Sequence, residues 1–369
     1  MKRLALIAIA AAAALAAPPA ASAASLTGAQ VTYRNLADRG VKNAQRLWWN
    51  RRLHWYNDHL HDHRKYPLAT IWSIVPLFES LDALAIADHS RAHRAAVRKF
   101  AAGAEKYYNR AMHGYGPYKG DRSRETVWFD DNGWWGIAFV DAWRATGNRR
   151  YLKDADRAFR FVARYGWASN GGIWWNTKHP YKAGEALSAD TLLGARLYAA
   201  THNGFYLRQV EKFISWADTG LPGRGGMYGI RVGDTSPVSY VEGPMIEAHR
   251  VLCDATGDNA HCQRAAQLAD AAYDWFGQDV NHGPQFDTIY LRSMLYLYTR
   301  DHDRRWYDLA VHNADRAKAN AGTGGGLYLA AWDGGPIIRH EAEPNMIQTH
   351  AATTELFAWL AATPPPAGG

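Results

Sequence analysis

The chain has 369 residues and a formal net charge of +7, with 16 Trp, 20 Tyr and only two Cys. Its basic residues are scattered and form no run that would follow a phosphate backbone, which argues against a nucleic-acid-binding protein. Aromatic residues make up 13% of the chain, more than a hydrophobic core requires. This surplus favours a binding cleft lined with aromatic rings.

The first 24 residues have the pattern of a secretory signal peptide. Lys2 and Arg3 form a basic start, an apolar run follows from Leu4 to Ala17, and Ala21-Ser22-Ala23 is a small-residue cleavage signal. The apolar run is too short for a membrane anchor, and no later segment has the length of a membrane span. We therefore predict a secreted, extracellular protein without stable membrane insertion, from which residues 1–24 are removed.

Twelve helical patterns follow, and no segment shows the clear alternation of a β-strand. Their approximate limits are 26–49, 69–87, 91–112, 130–146, 150–165, 182–200, 204–216, 239–255, 260–276, 285–299, 303–319 and 346–361. Ala-Thr-Gly turns at 145–147 and 255–257 close one helix and precede the next, as helix C-caps do. Segments rich in glycine and aromatic residues follow every second helix, at 114–118, 171–175, 223–229 and 324–328.

This repetition predicts an all-α protein with an (α/α)6 barrel, a toroid of six helix hairpins whose glycine-rich loops gather at one end. We expect a single catalytic domain over residues 25–362, a disordered tail over 363–369, and a monomer. Cys253 and Cys262 flank a turn between two helices. In a secreted chain they are expected to form a disulfide, the alternative being two free buried thiols.

Four histidines lie close together before the second helix, at His54, His59, His61 and His63. Such a cluster can bind a metal ion. No cysteine and no group of acidic residues with a matching spacing accompanies it, so a solvent-exposed loop is the better interpretation. We predict neither a metal site nor another cofactor.

The most informative stretch is Val127–Ala145, in which Asp130 and Asp131 lie among four tryptophans. Asp131 and Asn132 are good helix N-cap residues, so the pair has a purely structural interpretation. The tryptophans favour a sugar-cleaving cleft instead, because indole faces cover pyranose rings while carboxylates supply an acid and a nucleophile. Neighbouring carboxylates suit the short separation of a retaining glycosidase, and their repulsion keeps one of them protonated.

Other carboxylates could pair with either aspartate in an inverting scheme, namely Glu185, Asp190, Glu242, Glu247 and Asp287. Glu242 can equally be a charge in the first turn of a helix. The chain has no Gly-x-Ser-x-Gly elbow, no His-Glu-x-x-His, no phosphate-binding glycine loop and no dinucleotide fingerprint. Hydride transfer, phosphoryl transfer and metalloprotease chemistry therefore lose support.

The sequence resembles glycoside hydrolase family 76, the endo-α-1,6-mannanases, over nearly all of the mature chain. The segments Asp130–Phe139 and Gly171–Thr177 carry most of this resemblance, and Asn313–Asp315 and Gln348–Leu356 carry less. The resemblance implies an (α/α)6 barrel and retaining cleavage of α-1,6-linked mannan without a metal. It also implies that Asp130 is the nucleophile and Asp131 the acid/base.

Two segments depart from the pattern of that family. Val241-Glu242-Gly243 stands where the family often has Asn-Gln-Gly, and Phe286–Tyr290 also differs from the family's usual version. We expect the carboxylate in place of an amide to alter a subsite or the preferred substrate. Trp143 is expected in the core. Substrate contacts are expected from Trp128, Asn132, Trp134, Trp174, Trp175, Asn176, Tyr240, Glu242 and Asp287.

These observations predict a secreted glycoside hydrolase that cleaves α-1,6-mannosidic bonds within α-mannan or manno-oligosaccharides. One alternative is a cell-wall mannan transglycosylase that uses the same aspartates. Another is a non-catalytic glycan-binding protein, against which the intact aspartate pair argues. A third is an enzyme acting on unsaturated uronides, which would need cations in the cleft loops, where Arg224 and Arg231 are the clear candidates.

Overall fold

The computed structural model describes residues 26–60, 68–123, 125–335, 337 and 345–367. The predicted signal peptide, His61, His63 and the last two residues of the predicted tail lie outside this part of the chain. No helix within it is long and apolar enough to cross a membrane.

Within the described residues the chain forms twelve α-helices, close to those predicted. They are α1 Gly28–Leu47, α2 Ile71–Asp88, α3 Arg91–Ala104, α4 Phe129–Thr146, α5 Arg150–Phe161, α6 Gly184–Thr201, α7 Gly204–Gly220, α8 Ser239–Thr256, α9 Asn259–Phe276, α10 Pro284–Asp301, α11 Arg304–Asn320 and α12 Ile347–Ala362. Two short antiparallel hairpins add the strands β1 Trp49–Asn50, β2 Trp55–Tyr56, β3 Tyr108–Asn109 and β4 Gly114–Tyr115.

The even-numbered helices form the inner ring. Each packs against the next in the order α2, α4, α6, α8, α10 and α12, and α12 closes the ring against α2. The odd-numbered helices flank them and carry polar outer faces. The prediction of an all-α (α/α)6 barrel is confirmed.

Small residues let the inner helices approach closely. A Cβ atom on Gly133 of α4 would lie 2.7 Å from the Cβ of Ala189 on α6, and one on Gly243 of α8 would lie 2.7 Å from the Cα of Tyr290 on α10. Interiors are close-packed, so neither position has room for a side chain. These crossings bring the N-terminal ends of the inner helices together at one mouth of the barrel.

Two helices end well before their predicted limits. The helix predicted over 91–112 ends at Ala104, because Tyr108–Asn109 pairs with Gly114–Tyr115 in a hairpin instead. The helix predicted over 150–165 keeps regular α geometry only to Phe161 and continues as a π-turn over 162–166. At the far end of α8, Cys253 and Cys262 form a disulfide that joins it to α9.

Candidate active site

A cleft of about 210 Å³ opens at the barrel mouth where the first turns of α2, α4, α6 and α8 meet. It contains three carboxylates and a wall of aromatic rings. The residues that line it are Thr70, Trp72, Pro117, Tyr118, Trp128, Asp130, Asp131, Trp134, Trp175, Glu185 and Tyr240. Both aspartates of the predicted catalytic pair therefore face the same cavity.

Asp130 and Asp131 lie in the first turn of α4, where the helix dipole favours negative charge. The N-cap of this helix is Trp128, in an extended conformation, and not Asp131 or Asn132 as the capping pattern suggested. Neither aspartate is thus used to cap the helix. Asp131 is buried, whereas Asp130 is half-buried.

Each oxygen of Asp130 accepts a hydrogen bond from a nitrogen. The backbone N–H of Asp131 donates to Oδ1 at 3.0 Å, and the indole Nε1 of Trp175 donates to Oδ2 at 3.1 Å. Trp175 is held by backbone hydrogen bonds to Phe129 and Tyr181, and the ring of Tyr181 stacks on it at 5.3 Å. Two fixed donors orient the carboxylate, as a nucleophile requires.

Glu185 is the third carboxylate of the cleft. It lies in the first turn of α6, and the hydroxyl of Tyr181 donates to its Oε1 at 3.2 Å. Of the rival carboxylates considered from the sequence, Glu185 alone lines the cleft. It is the structural candidate for a general base if the reaction inverts.

The other rival carboxylates are buried outside the cleft. Glu247 accepts the guanidinium of Arg196 inside the barrel, and Asp287 accepts the backbone N–H groups of His282 and Gly283 at 3.2 and 3.0 Å. Asp190 is fully buried on α6. Burial and the nearby charge of Asp130 raise the pKa of Asp190 well above its usual range.

Trp128, Trp134, Trp175 and Tyr240 line the cleft, but five other predicted substrate contacts do not. Asn132 is fully buried, and its amide exchanges hydrogen bonds with the backbone of Tyr115 at 2.8 and 3.0 Å. It anchors strand β4 to α4, so its amide groups are not available to a sugar.

Trp174 and Asn176 flank Trp175 in an extended segment, where alternate side chains point to opposite sides. Trp174 stacks on His179 at 5.1 Å, and Asn176 is buried and accepts the backbone N–H of Lys178. Only the middle residue of the three therefore reaches the cleft. Asp287 does not line the cleft either, and its carboxylate accepts the backbone N–H groups of His282 and Gly283.

Glu242 is buried beneath the loop that precedes α8. Its Oε1 accepts the backbone N–H of Tyr228 at 2.9 Å, which ties the glycine-rich segment 223–229 to the helix. Its Oε2 has no hydrogen-bond partner among the described residues. Burial raises the pKa of Glu242 to about 8. Glu242, which departs from the family pattern, therefore holds the segment 223–229 in place and does not line the cleft.

Replacing Glu242 by Gln is expected to stabilise the protein at alkaline pH. The folded pKa of about 8 lies above the ordinary value of 4.5, so the folded state holds a proton that the unfolded chain releases. Stability falls as pH rises from about 4.5 to about 8, because the unfolded chain ionises at this residue while the folded protein keeps the carboxyl group protonated. Gln keeps the acceptor for Tyr228 and cannot ionise. We expect the variant to gain about 2–4 kcal/mol relative to wild type between pH 5 and pH 9.

Denaturant unfolding of both proteins at the two pH values measures this gain. Asp234→Asn, which changes a carboxylate at the surface, is the matched control and should follow wild type. Equal pH dependence in Glu242→Gln and wild type would contradict the account.

Several cleft residues were not singled out from the sequence. Thr70 caps α2 by accepting the N–H of Ser73, and Trp72 follows in its first turn, in the same relation to its helix as Asp130 to α4. Tyr118 ends the glycine- and aromatic-rich segment 114–118, one of the loops that the sequence predicts at the site end of the barrel. Its position near the start of the helix predicted over 69–87 is the sequence feature that could have identified Trp72.

No lysine, arginine or histidine occurs among the described residues that line the cleft. Arg231 lies behind it, with its guanidinium over the ring of Tyr181 at 5.6 Å, and Arg224 is not part of the lining. Within the described residues, no group of three His, Cys, Asp or Glu side chains could hold a metal ion.

The family model for glycosyl hydrolase family 76 matches residues 63–288, more than half of the chain. The chain belongs to glycoside hydrolase family 76. No curated protein matches it by sequence.

Solved structures of the family share the fold. The chain is similar to a family 76 mannosidase from Bacteroides thetaiotaomicron, with 19% identity and a TM-score of 0.80, over 90% of this chain and 98% of that one. It is also similar to an inactive variant of the α-1,6-mannanase of Salegentibacter sp., solved in complex with α-1,6-mannotriose. That match has 17% identity and a TM-score of 0.74, and covers 89% of this chain and 99% of that one.

The barrel also occurs outside the family. A cellobiose 2-epimerase from Bacillus thermoamylovorans matches with 13% identity and a TM-score of 0.65, over 89% of this chain and 99% of that one. The fold alone therefore does not give the reaction, which has to be argued from the cleft.

Proposed function

We propose that the protein is a secreted endo-α-1,6-mannanase that cleaves its substrate with retention of configuration. The observation that carries this proposal is the pair Asp130–Asp131, presented in one aromatic cleft by the first turn of α4. In the inactive Salegentibacter variant, two consecutive aspartates are replaced by asparagine, and that protein binds α-1,6-mannotriose. The predicted signal peptide supports secretion. The disulfide between Cys253 and Cys262 supports it too, because disulfides form and persist in oxidising compartments.

In the first step, a carboxylate oxygen of Asp130 attacks the anomeric carbon of the mannosyl unit. The bond to the glycosidic oxygen breaks, and Asp131 gives that oxygen its proton. The shortened chain leaves with a new hydroxyl group, and the mannosyl unit stays covalently bound to Asp130. Trp175 and the backbone N–H of Asp131 keep the nucleophile in place throughout this step.

In the second step, Asp131 is ionised and takes a proton from water. The water oxygen bonds to the anomeric carbon from the face that the leaving group vacated, and Asp130 is released as a carboxylate. Two displacements restore the original α configuration. If a sugar hydroxyl replaces the water, the same chemistry becomes transglycosylation.

Digestion of unbranched α-1,6-mannan, followed by chromatography of the products, tests the activity. We expect short manno-oligosaccharides from α-1,6-mannan and none from β-1,4-mannan. Products longer than a defined starting oligosaccharide would indicate transglycosylation instead. Binding of α-1,6-mannan without cleavage would favour the alternative of a non-catalytic glycan-binding protein.

Replacing Trp175 by Phe removes the hydrogen bond to Asp130 but keeps an aromatic ring beside Tyr181. We expect kcat/KM on α-1,6-manno-oligosaccharides to fall roughly 10- to 100-fold, since a hydrogen bond to a charged group contributes about 1.5–3 kcal/mol. Trp174→Phe, the same change in the neighbouring residue that faces away, is the control. Equal losses in both variants would mean that packing, and not the hydrogen bond, is responsible.

A further inference from the structure

The positive charge of the protein is concentrated on two of its outer helices. Together, α1 and α3 contain eight Lys and Arg but a single carboxylate, Asp38, so their formal charge of +7 equals that of the whole chain. The outer helices α5, α7, α9 and α11 together contain eleven Lys and Arg and eight carboxylates. We call the outward surface of α1 and α3 the cationic flank. Its cations are Arg34, Arg39, Lys42, Arg46, Arg91, Arg94, Arg98 and Lys99.

The two helices of the cationic flank lie side by side, although about 45 residues separate their starts in the sequence. Both pack against α2, and a groove of about 80 Å³ between them is lined by residues of each. His93 of α3 connects them. Its Nε2 lies 2.9 Å from a carboxylate oxygen of Asp38 on α1, and its Nδ1 lies 2.9 Å from one of Asp88 at the end of α2. Folding thus gathers cations that form no run in the sequence into one surface.

The carboxylates near the cationic flank do not neutralise it. Hydrogen bonds with Asp38 and Asp88 raise the pKa of His93, so both carboxylates have a partner that is not one of the eight cations. Carboxylates of neighbouring elements are paired as well, Glu105 with Arg150 and Asp315 with Lys318. Within the part of the chain that the structure describes, none of the eight cations forms an ion pair. Six of them are exposed, and Arg34 and Arg94 are half-buried.

The size and chemistry of the cationic flank identify the kind of partner. An α1 helix of 20 residues is about 30 Å long, so the charged surface is far larger than a small anion and matches an extended polymer. Six of the eight cations are arginines, whose planar guanidinium groups pair with phosphate oxygens through two parallel hydrogen bonds. A polymer with repeated phosphodiester groups combines the required length and charge.

A lipid surface fits the cationic flank less well. Helices that lie on membranes insert apolar side chains between the headgroups. The exposed large hydrophobic side chains of the described residues all lie outside α1 and α3, at Tyr118, Tyr165, Val232 and Trp275. The charge of the flank is therefore not accompanied by the apolar contacts that hold a helix in a bilayer.

The cationic flank is separate from the catalytic cleft. The cleft is formed by the first turns of α2, α4, α6 and α8, and none of the described residues that line it belongs to α1 or α3. A polymer on the outside of these two helices would leave the mouth of the barrel open. Binding there and cleavage in the cleft can therefore occur at the same time.

We infer that the cationic flank binds an anionic polymer of a cell surface, one whose charges are phosphodiester groups, and so holds the enzyme close to the glycans of that surface. The location of this polymer rests on the proposed function, because a secreted enzyme meets cell-surface polymers and not nucleic acid. The contacts are electrostatic and formed at exposed side chains, so added salt weakens them.

Binding to immobilised poly(glycerol phosphate), measured by biolayer interferometry, tests the inference. The flank variant combines Arg39→Gln, Lys42→Gln, Arg98→Gln and Lys99→Gln. At 50 mM NaCl we expect its affinity to be at least about tenfold below that of wild type, and wild-type affinity to fall by a similar factor at 300 mM NaCl. The control variant removes four exposed cations from other outer helices, and its affinity should stay within about threefold of wild type. Its substitutions are Lys153→Gln, Arg208→Gln, Arg304→Gln and Lys318→Gln.

The outcomes decide both the surface and the partner. Equal losses in the flank and control variants would mean that net charge alone is responsible, and wild-type affinity in the flank variant would mean that this surface is not used. Either result overturns the inference. Equally tight binding of wild type to duplex DNA or to phosphatidylglycerol vesicles would overturn the assignment to a cell-surface polymer.

Cleavage is measured separately, with α-1,6-mannotetraose, which is neutral. We expect the same kcat/KM in wild type, the flank variant and the control variant, since none of the eight substitutions lies in the cleft. If wild type does not cleave this substrate, the proposed function fails, and binding to poly(glycerol phosphate) still decides whether the cationic flank binds a polyanion. If wild type cleaves it but the flank variant binds the polymer as wild type does, the proposed function stands and the inference is overturned.

Discussion

Asp130→Ala is expected to lower kcat on α-1,6-manno-oligosaccharides by at least about 10⁴-fold, because the covalent intermediate can no longer form. Asp131→Ala is expected to lose about 10²–10⁴-fold, the usual contribution of a general acid and base. The two losses can be told apart with an aryl α-1,6-mannobioside, whose leaving group departs without protonation. On this substrate the Asp131 variant should still form the covalent intermediate.

Added azide then distinguishes the two roles by stereochemistry. In Asp131→Ala, azide attacks the intermediate on Asp130 and gives an α-mannosyl azide. In Asp130→Ala, azide fills the space of the missing carboxylate and gives the β-azide in a single displacement. Glu185→Gln, a change of the third cleft carboxylate, is the control and should retain kcat within about tenfold. A loss in Glu185→Gln as large as in Asp130→Ala would assign the chemistry to a different pair.

A cluster of charged side chains inside the barrel is expected to contribute strongly to the stability of the fold. The guanidinium of Arg292 on α10 donates to Glu79 on α2 and to Asp141 on α4. Arg196 on α6 donates to Asp141 at 2.8 Å and to Glu247 on α8 at 2.8 Å. Burial would raise the pKa of Asp141, but the guanidinium groups of Arg196 and Arg292 outweigh it and hold this pKa below its ordinary value. The cluster thus connects five of the inner helices.

Arg292→Met is therefore expected to destabilise the protein by about 3–5 kcal/mol, since it leaves Asp141 buried with less compensation. Arg292 is 8% exposed. The matched control is Arg305→Met, because Arg305 also contacts two carboxylates, Asp270 and Asp303, but is 51% exposed. Its ion pairs are screened by solvent, so we expect a loss below about 1 kcal/mol. Denaturant unfolding measures the free energy of unfolding of both variants. Similar losses would show that the buried cluster contributes no more to stability than the exposed ion pairs of Arg305.

The helices could be predicted from the sequence because their signals are local. The Ala-Thr-Gly turns at 145–147 and 255–257 end α4 and α8 as expected, with Gly147 and Gly257 in the left-handed conformation that favours glycine. The predicted helix over 91–112 failed beyond Ala104, because strand pairing with Gly114–Tyr115 overrides helical propensity. Local patterns contain no information about that partner.

The part of the site that lies within one segment of the chain could be predicted from the sequence. Asp130 and Asp131 could be recognised together with their tryptophans. Trp72 and Glu185 could not be placed beside them, since only closure of the ring brings the starts of α2 and α6 to α4. Glu242 was expected in a subsite, but burial under Tyr228 depends on how a loop folds over α8.

The measurement that tests the central claim most directly is the proton NMR spectrum of α-1,6-mannotetraose during its first minutes of cleavage. Mutarotation is slow enough for the anomer first released to be seen before it equilibrates. The account predicts that the α-anomer appears first and the β-anomer follows, as two displacements at Asp130 require. Initial release of the β-anomer would contradict it and would direct attention to Glu185 as the base of an inverting mechanism.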